Sequence, residues 1–113
     1  MEQLIKDLLV FRNERNWQKF HNPKDLAIAI SVEAAELLEL FQWRPNEQPV
    51  DSVLQNNLEN EIADVLLYLL LLADAAKIDI LFAAQQKLER NKLRFPISTS
   101  YGIAKPDDSS EMI

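Results

Sequence analysis

Two segments decide the fold of this chain: VEAAELLELFQW at residues 32–43 and EIADVLLYLLLL at residues 61–72. Both have the apolar content of buried helices, and each contains two carboxylates three residues apart. Residues at that spacing lie on one face of a helix, one turn from each other. Carboxylates are seldom buried unless they are paired or bind a metal, so these positions are candidate functional sites. The four carboxylates are Glu33, Glu36, Glu61 and Asp64.

The rest of the chain predicts an all-α fold with four main helices. An apolar period close to that of a helix indicates an amphipathic first helix, and a loop over residues 16–22 follows it. Asn22, Asp51 and Asp79 are typical N-cap residues for the later helices. The predicted helices cover residues 2–16, 24–43, 52–76 and 80–93. No stretch alternates as a strand does.

The third predicted helix is polar in its first half and apolar on every side in its second half. A helix that is apolar all round must be covered all round, which four helices of this length do not easily achieve. We therefore expect a helical homo-oligomer with this helix in its interface. The expected architecture is one four-helix-bundle domain over residues 1–96 and a polar, mobile tail over residues 97–113.

Composition and charge narrow the classes of function. The 113 residues suffice for one domain, and the net charge of −6 argues against binding to a nucleic-acid backbone. Cysteine is absent, which excludes disulfides and thiolate metal sites. The start of the chain does not resemble a signal peptide, and the longest apolar run, Val65–Ala73, is too short to span a membrane. We expect a soluble, cytoplasmic protein without a membrane partner.

The setting of the acidic pairs is more informative than their spacing. The chain has four acidic pairs at i,i+3, and roughly three are expected by chance. A short connection between the second and third helices favours an antiparallel pair, in which the two acidic pairs face one cleft. Carboxylates crowded in this way repel one another unless cations enter, and their oxygens select Mg²⁺ or Mn²⁺. The alternative is a solvated acidic edge that pairs with Lys or Arg.

Two rival chemistries are disfavoured. Di-iron helical bundles use a Glu-x-x-His motif on two helices, and this chain has no such motif. Its only histidine, His21, lies in a predicted loop. A Ser/His/Asp triad would also require His21, and no serine lies in a nucleophile-elbow glycine pattern.

Four ordered segments resemble the all-α nucleoside triphosphate pyrophosphohydrolases, the MazG-like superfamily, and most closely its dCTP pyrophosphatase branch. The first is Phe-His-x-Pro-x-x-Leu at residues 20–26, and the second is Glu-x-x-Glu-Leu-x-Glu-x-Phe-Gln-Trp at residues 33–43. The third is Glu-x-x-Asp-Val-x-x-Tyr-Leu at residues 61–69. The last is Lys-x-x-x-Asn-x-x-Arg-Phe-Pro at residues 87–96. The resemblance covers about residues 10–96 and omits the tail.

The resemblance implies a Mg²⁺-dependent enzyme that hydrolyses a nucleoside triphosphate to the monophosphate and pyrophosphate, as a dimer or tetramer with sites between subunits. By position in the motifs, Glu33, Glu36, Glu61 and Asp64 would hold the metal. Glu33 or Glu36 would also orient the attacking water, and the sequence does not separate these two roles. Neither does it fix the preferred base.

Other matched residues have both a functional and a structural interpretation. Trp17 and Trp43 either stack on a base or pack in the core, and His21 either contacts base or sugar or is structural. Tyr68 lies one turn beyond Asp64 and either contacts the substrate or packs at an interface.

Three polar residues of the last main helix complete the set of candidates. They follow helical spacing and offer either a phosphate-binding end or an ordinary solvated face. They are Lys87, Asn91 and Arg94.

Two other functions are consistent with the residues. One is a non-catalytic helical oligomer that uses its apolar third helix to assemble or to bind a partner. The other keeps the metal site and acts on a different diphosphate-containing molecule.

Overall fold

Residues 1–104 are described in the computed structural model, and every regular element among them is helical. This confirms the all-α prediction for this part of the chain. The elements are α1 (Glu2–Glu14), a 3₁₀ helix (Trp17–Phe20), α2 (Pro23–Glu39), α3 (Ser52–Ala75), α4 (Ile80–Arg94) and the one-turn α5 (Ile97–Ser100). The chain divides into two compact units, Met1–Ile78 and a second that begins at Asp79.

The starts of α2, α3 and α4 are fixed by side-chain caps. The side-chain oxygens of Asn22, Asp51 and Asp79 each accept a backbone N–H from three residues further on, at 2.8, 2.8 and 3.1 Å. Each of these bonds satisfies one of the N–H groups that a helix start leaves without an intrahelical partner. Pro23 follows Asn22 as the first helical residue, where its missing N–H costs nothing. The three predicted N-caps are therefore confirmed.

The segment between α1 and α2 differs from the predicted loop, because it contains a 3₁₀ helix. Asn16 adopts a left-handed backbone conformation, with φ of 52°, and so ends the right-handed path of α1. Asparagine tolerates that conformation better than most residues. Trp17 begins the 3₁₀ helix, and His21 directly follows its last residue.

The second helix was predicted to reach Trp43, and this boundary is wrong: α2 ends at Glu39. Beyond it the backbone N–H groups bond three residues back, as in Phe41 to the Leu38 carbonyl at 3.0 Å. Pro45 disfavours helical geometry at Arg44 and lacks the N–H that would bond the Phe41 carbonyl, so this tightened, turn-like end does not return to an α-helix. Trp43 consequently lies outside the helix.

Within the first unit, α2 packs against α3, and α1 packs against the 3₁₀ helix and α3. The buried side chains of this unit are all apolar: Leu8, Leu26, Leu54, Leu70, Leu71 and Ala73. Three of them belong to the apolar second half of α3. None of the described helices has the length and apolarity needed to cross a membrane.

The second unit contains α4 and α5. The predicted tail over residues 97–113 therefore starts with one helical turn, Ile97–Ser100. Residues 105–113, and with them most of the predicted mobile tail, lie outside the described residues.

Candidate metal centre and adjoining cavity

Three of the four predicted carboxylates meet between α2 and α3. Glu33 of α2 and Glu61 and Asp64 of α3 each place a carboxylate oxygen within 4.8 Å of the others. The two glutamates are half-buried and Asp64 is exposed. Glu33 and Glu61 lie at comparable distances from the connection that joins their helices, which is the register of an antiparallel pair. The carboxylates therefore meet because of where Asn22 and Asp51 start the helices and how these pack.

Two carboxylate oxygens of this cluster lack a hydrogen-bond partner. Oε2 of Glu33 and Oε2 of Glu61 are shielded from solvent and have no hydrogen-bond partner among the described residues. Ionised carboxylates only accept hydrogen bonds, so they cannot satisfy one another. A proton or a cation must lie between them for the cluster to be stable. An all-oxygen donor set of this kind fits a hard divalent cation such as Mg²⁺.

The pKa of Glu33 reflects the same crowding of carboxylates. Its pKa is raised to about 7, chiefly because burial disfavours the charged form. Hydrogen bonding to Glu36 and the negative charges of Glu36 and Asp64 raise the pKa further, and Glu61 adds a smaller contribution. Glu36 is exposed and lies outside the three-residue cluster, but these interactions place it beside Glu33.

A cavity of about 230 Å³ adjoins the cluster and shares Asp64 with it. Most of its wall is apolar, and Arg12, His21, Asp64 and Tyr68 supply polar groups. Its apolar lining consists of Leu8, Phe11, Trp17, Leu67 and Leu71. A mostly apolar cavity with a few polar groups is typical of a small-molecule site.

Trp17 is positioned in this cavity by an aromatic contact. The ring of Phe11 meets it edge to face, with centroids 5.6 Å apart and planes at 81°. The guanidinium of Arg15 lies 3.8 Å from the centroid of Phe11 and donates a hydrogen bond to the Phe11 carbonyl at 2.9 Å. Trp17 is 44 % exposed, so part of its surface remains available to a ligand.

His21 contributes a second polar group with unused hydrogen-bonding capacity. Its Nδ1 is buried and has no partner among the described residues. Burial lowers the pKa of His21, and the positive charge of Arg12 lowers it further. A neutral imidazole can both donate and accept a hydrogen bond, which suits contact with a base or a sugar.

Trp43 and three residues of α4 are the remaining candidates. Trp43 is 88 % exposed and does not line the cavity. Lys87, Asn91 and Arg94 share one face of α4 in the second unit, where Arg90 and Leu93 join them along one concave surface.

Arg12 was missed by the sequence analysis. It lines the cavity and pairs with Asp74, which is 62 residues away, so no local spacing in the sequence indicates its role. The only signal is a basic residue directly after Phe11, close to the apolar stripe of α1.

Comparison with known proteins identifies the family. The sequence pattern of the MazG-like family matches residues 28–107. Bovine dCTP pyrophosphatase 1 is 38 % identical over 98 residues, which are 83 % of this chain and 58 % of the bovine one. Human dCTP pyrophosphatase 1 is 37 % identical over 90 residues, 76 % of this chain and 53 % of the human one. The chain thus spans little more than half the length of these relatives.

A solved structure agrees with this assignment. The crystal structure of a pyrophosphatase from Archaeoglobus fulgidus is 46 % identical in sequence and superposes with a TM-score of 0.78. The match covers 85 % of this chain and 92 % of the archaeal one. By sequence and by fold, the chain belongs to the MazG-like family.

Proposed function

We propose that this chain is a Mg²⁺-dependent nucleoside triphosphate pyrophosphohydrolase. The observation that carries the proposal is a carboxylate cluster with two unpartnered, shielded oxygens, directly beside a mostly apolar cavity of about 230 Å³. Asp64 belongs to both, so a ligand in the cavity has its phosphates within reach of the cluster. The names of the dCTP pyrophosphatase relatives and of the archaeal pyrophosphatase support the same reaction class.

In this proposal Glu33, Glu61 and Asp64 hold the cation and Glu36 acts beside Glu33. When bound, a divalent cation supplies positive charge that offsets the phosphate charge and polarises the phosphoryl oxygens. Water forms a bond to the α-phosphorus, the bond from that phosphorus to the oxygen that bridges it to the β-phosphorus breaks, and pyrophosphate leaves with the bonding electron pair on that oxygen. Glu33 or Glu36 orients the water and accepts its proton, as a general base does.

The nucleoside would occupy the cavity. Trp17 offers a ring face for base stacking, and His21 and Tyr68 offer hydrogen bonds to base or sugar. Lys87, Asn91 and Arg94 are proposed to bind phosphates, since a cationic face offsets their charge. Trp43 stays a candidate for stacking in an assembled oligomer.

We also propose a homodimer or homotetramer. Several apolar side chains of α2 and α3 are exposed in the single chain, including Ile28, Val53 and Ile62 at 52, 67 and 52 %. Apolar surface of this kind is typical of an interface. The second candidate function, a non-catalytic helical oligomer, rests on the same surface and requires no metal.

The test is a panel of canonical and modified deoxynucleoside triphosphates with Mg²⁺, in which pyrophosphate and orthophosphate are measured separately. Pyrophosphate release that EDTA abolishes is expected. Glu36→Gln and Asp64→Asn should each abolish it with helical content unchanged. Glu59→Gln is the matched control, because Glu59 is an exposed carboxylate of α3 that bonds Gln55 outside the cluster. Orthophosphate release, or full turnover by both site variants, would overturn the proposal.

Thermal melts separate the two candidate functions. A cation that binds only the native state raises the melting temperature. Mg²⁺ should therefore stabilise the wild type more than Asp64→Asn, whereas a non-catalytic oligomer should show no such difference.

A further inference from the structure

A half-buried arginine, Arg12, forms part of the cavity wall and is held from two sides. Nη1 of Arg12 donates to Oδ2 of Asp74 at 2.8 Å, and Nε donates to Oδ1 of Asn13 at 3.0 Å. The Arg12 side chain is only 13 % exposed. A guanidinium that is fixed in this way presents its remaining donors in a constant direction, which a mobile surface arginine does not.

The Asp74 partner of Arg12 lies further along α3 than the carboxylate cluster. Asp64, Leu67 and Leu71 of α3 line the cavity in succession. Asp74 follows Asp64 by ten residues, which is about 15 Å along a helix axis. A nucleotide with its phosphates near Asp64 therefore extends its base toward Arg12.

The guanidinium of Arg12 has more N–H donors than it uses within the protein. Guanidinium carries five N–H groups, of which Asp74 and Asn13 account for two, and no described residue accepts from the other three. Because Arg12 lines the cavity, these remaining N–H groups are available to an acceptor on a ligand there. The charge of Arg12 also acts on His21, which places the guanidinium near that imidazole in the same cavity.

We propose that Arg12 is a specificity-determining residue that reads the base of the nucleotide, and that Asp74 is the residue that positions it. This inference rests on the proposed function. Two neighbouring N–H groups of a guanidinium match two adjacent acceptors, as in arginine recognition of guanine O6 and N7. Cytosine offers such a pair in O2 and N3. Uracil and thymine carry an N3–H donor between their carbonyls, and adenine carries an amino group beside N1 and N7, so neither presents that pair.

The test compares dCTP with dUTP, which have the same size and differ only along this edge of the base. Arg12→Met should lower the ratio of kcat/KM for dCTP to that for dUTP by about 5-fold to 150-fold, the range of one two-pronged arginine contact. Arg12→Lys keeps a positive charge beside Asp74 but lacks the paired donors, so the ratio should fall for this variant as well. A merely structural role would lower both kcat/KM values equally.

Asp74 is tested through the same ratio. Asp74→Ala should lower it in the same direction by a smaller factor, and the double variant should match Arg12→Met alone, because both changes remove one interaction. Arg44→Met is the matched control: it breaks another Arg–Asp pair, with Asp51 at 3.6 Å, that does not line the cavity. Its dCTP-to-dUTP ratio should equal that of the wild type.

The outcomes distinguish this inference from the proposed function. Pyrophosphate release by the wild type, with an unchanged ratio in Arg12→Met and Arg12→Lys, would overturn the role of Arg12 and leave the enzyme assignment standing. No pyrophosphate release from any nucleotide by the wild type would overturn both.

Discussion

Mg²⁺ binding to this chain is expected to release a proton from Glu33, in an amount that depends on pH. The pKa of about 7 leaves part of the Glu33 population protonated at neutral pH, whereas a metal-bound carboxylate is ionised. The expected release from this residue is about 0.9 of a proton at pH 6, about 0.5 at pH 7 and about 0.1 at pH 8.

Isothermal titration calorimetry measures this release. Mg²⁺ is titrated at each pH into protein in two buffers of different ionisation enthalpy, and the difference in apparent binding enthalpy gives the number of protons. Glu33→Gln has no such proton to lose, so the pH-dependent part of the release should vanish. Glu59→Gln, which removes a carboxylate outside the cluster, should behave as the wild type does. Equal release at pH 6 and pH 8, or an undiminished release in Glu33→Gln, would refute the reasoning.

The raised pKa of Glu33 makes the stability of the metal-free protein depend on pH. Between about pH 4.5 and about 7, native Glu33 holds more proton than the unfolded chain does, because its native pKa is the higher one. The free energy of unfolding therefore falls as the pH rises through this window. Below the window the contribution of Glu33 is constant, and above it the full destabilisation is present. Saturating Mg²⁺ should reverse the trend, since the cation binds the ionised form.

Three further outcomes are expected from the fold. Asn22→Ala should lower the free energy of unfolding by about 1 kcal/mol in urea denaturation, because one N-cap bond of α2 is lost; no change would mean that this cap is redundant. Leu26→Ala should lower it by about 2–5 kcal/mol, since Leu26 is 2 % exposed in the core; a smaller loss would show that the site collapses. The single histidine, His21, should titrate below 6.5 by NMR, and Arg12→Met should move its pKa only part of the way back, since burial is the larger cause; a midpoint at or above 6.5 in the wild type would contradict both causes.

Local chemistry made much of this fold predictable. Asn22, Asp51 and Asp79 each determine a helix start through a bond to a residue three positions away, so the sequence nearby holds the whole signal. The end of α2 was harder to predict. The apolar pattern continues to Trp43, but α2 ends at Glu39 and a turn-like segment follows it.

The candidate site was only partly predictable for a related reason. Glu33 with Glu36 and Glu61 with Asp64 are local pairs, so their spacing is visible in the sequence. Which of the four share one cation-sized space depends on how α2 and α3 pack, and the sequence did not indicate that Glu36 lies beside the cluster of three. The pair of Arg12 and Asp74 is separated by 62 residues, so no local spacing in the sequence indicates it.

The two tryptophans lie in contrasting surroundings, and this makes them two separate optical reporters. Trp17 stands edge-on to Phe11 in the cavity wall, whereas Trp43 is almost fully in water. With Trp43→Phe, the emission of Trp17 alone follows ligand entry into the cavity. With Trp17→Phe, the red-shifted emission of Trp43 is left, and a blue shift with rising protein concentration follows burial of its surroundings during assembly. Occupancy and association of this chain are thus measurable independently, without an attached dye.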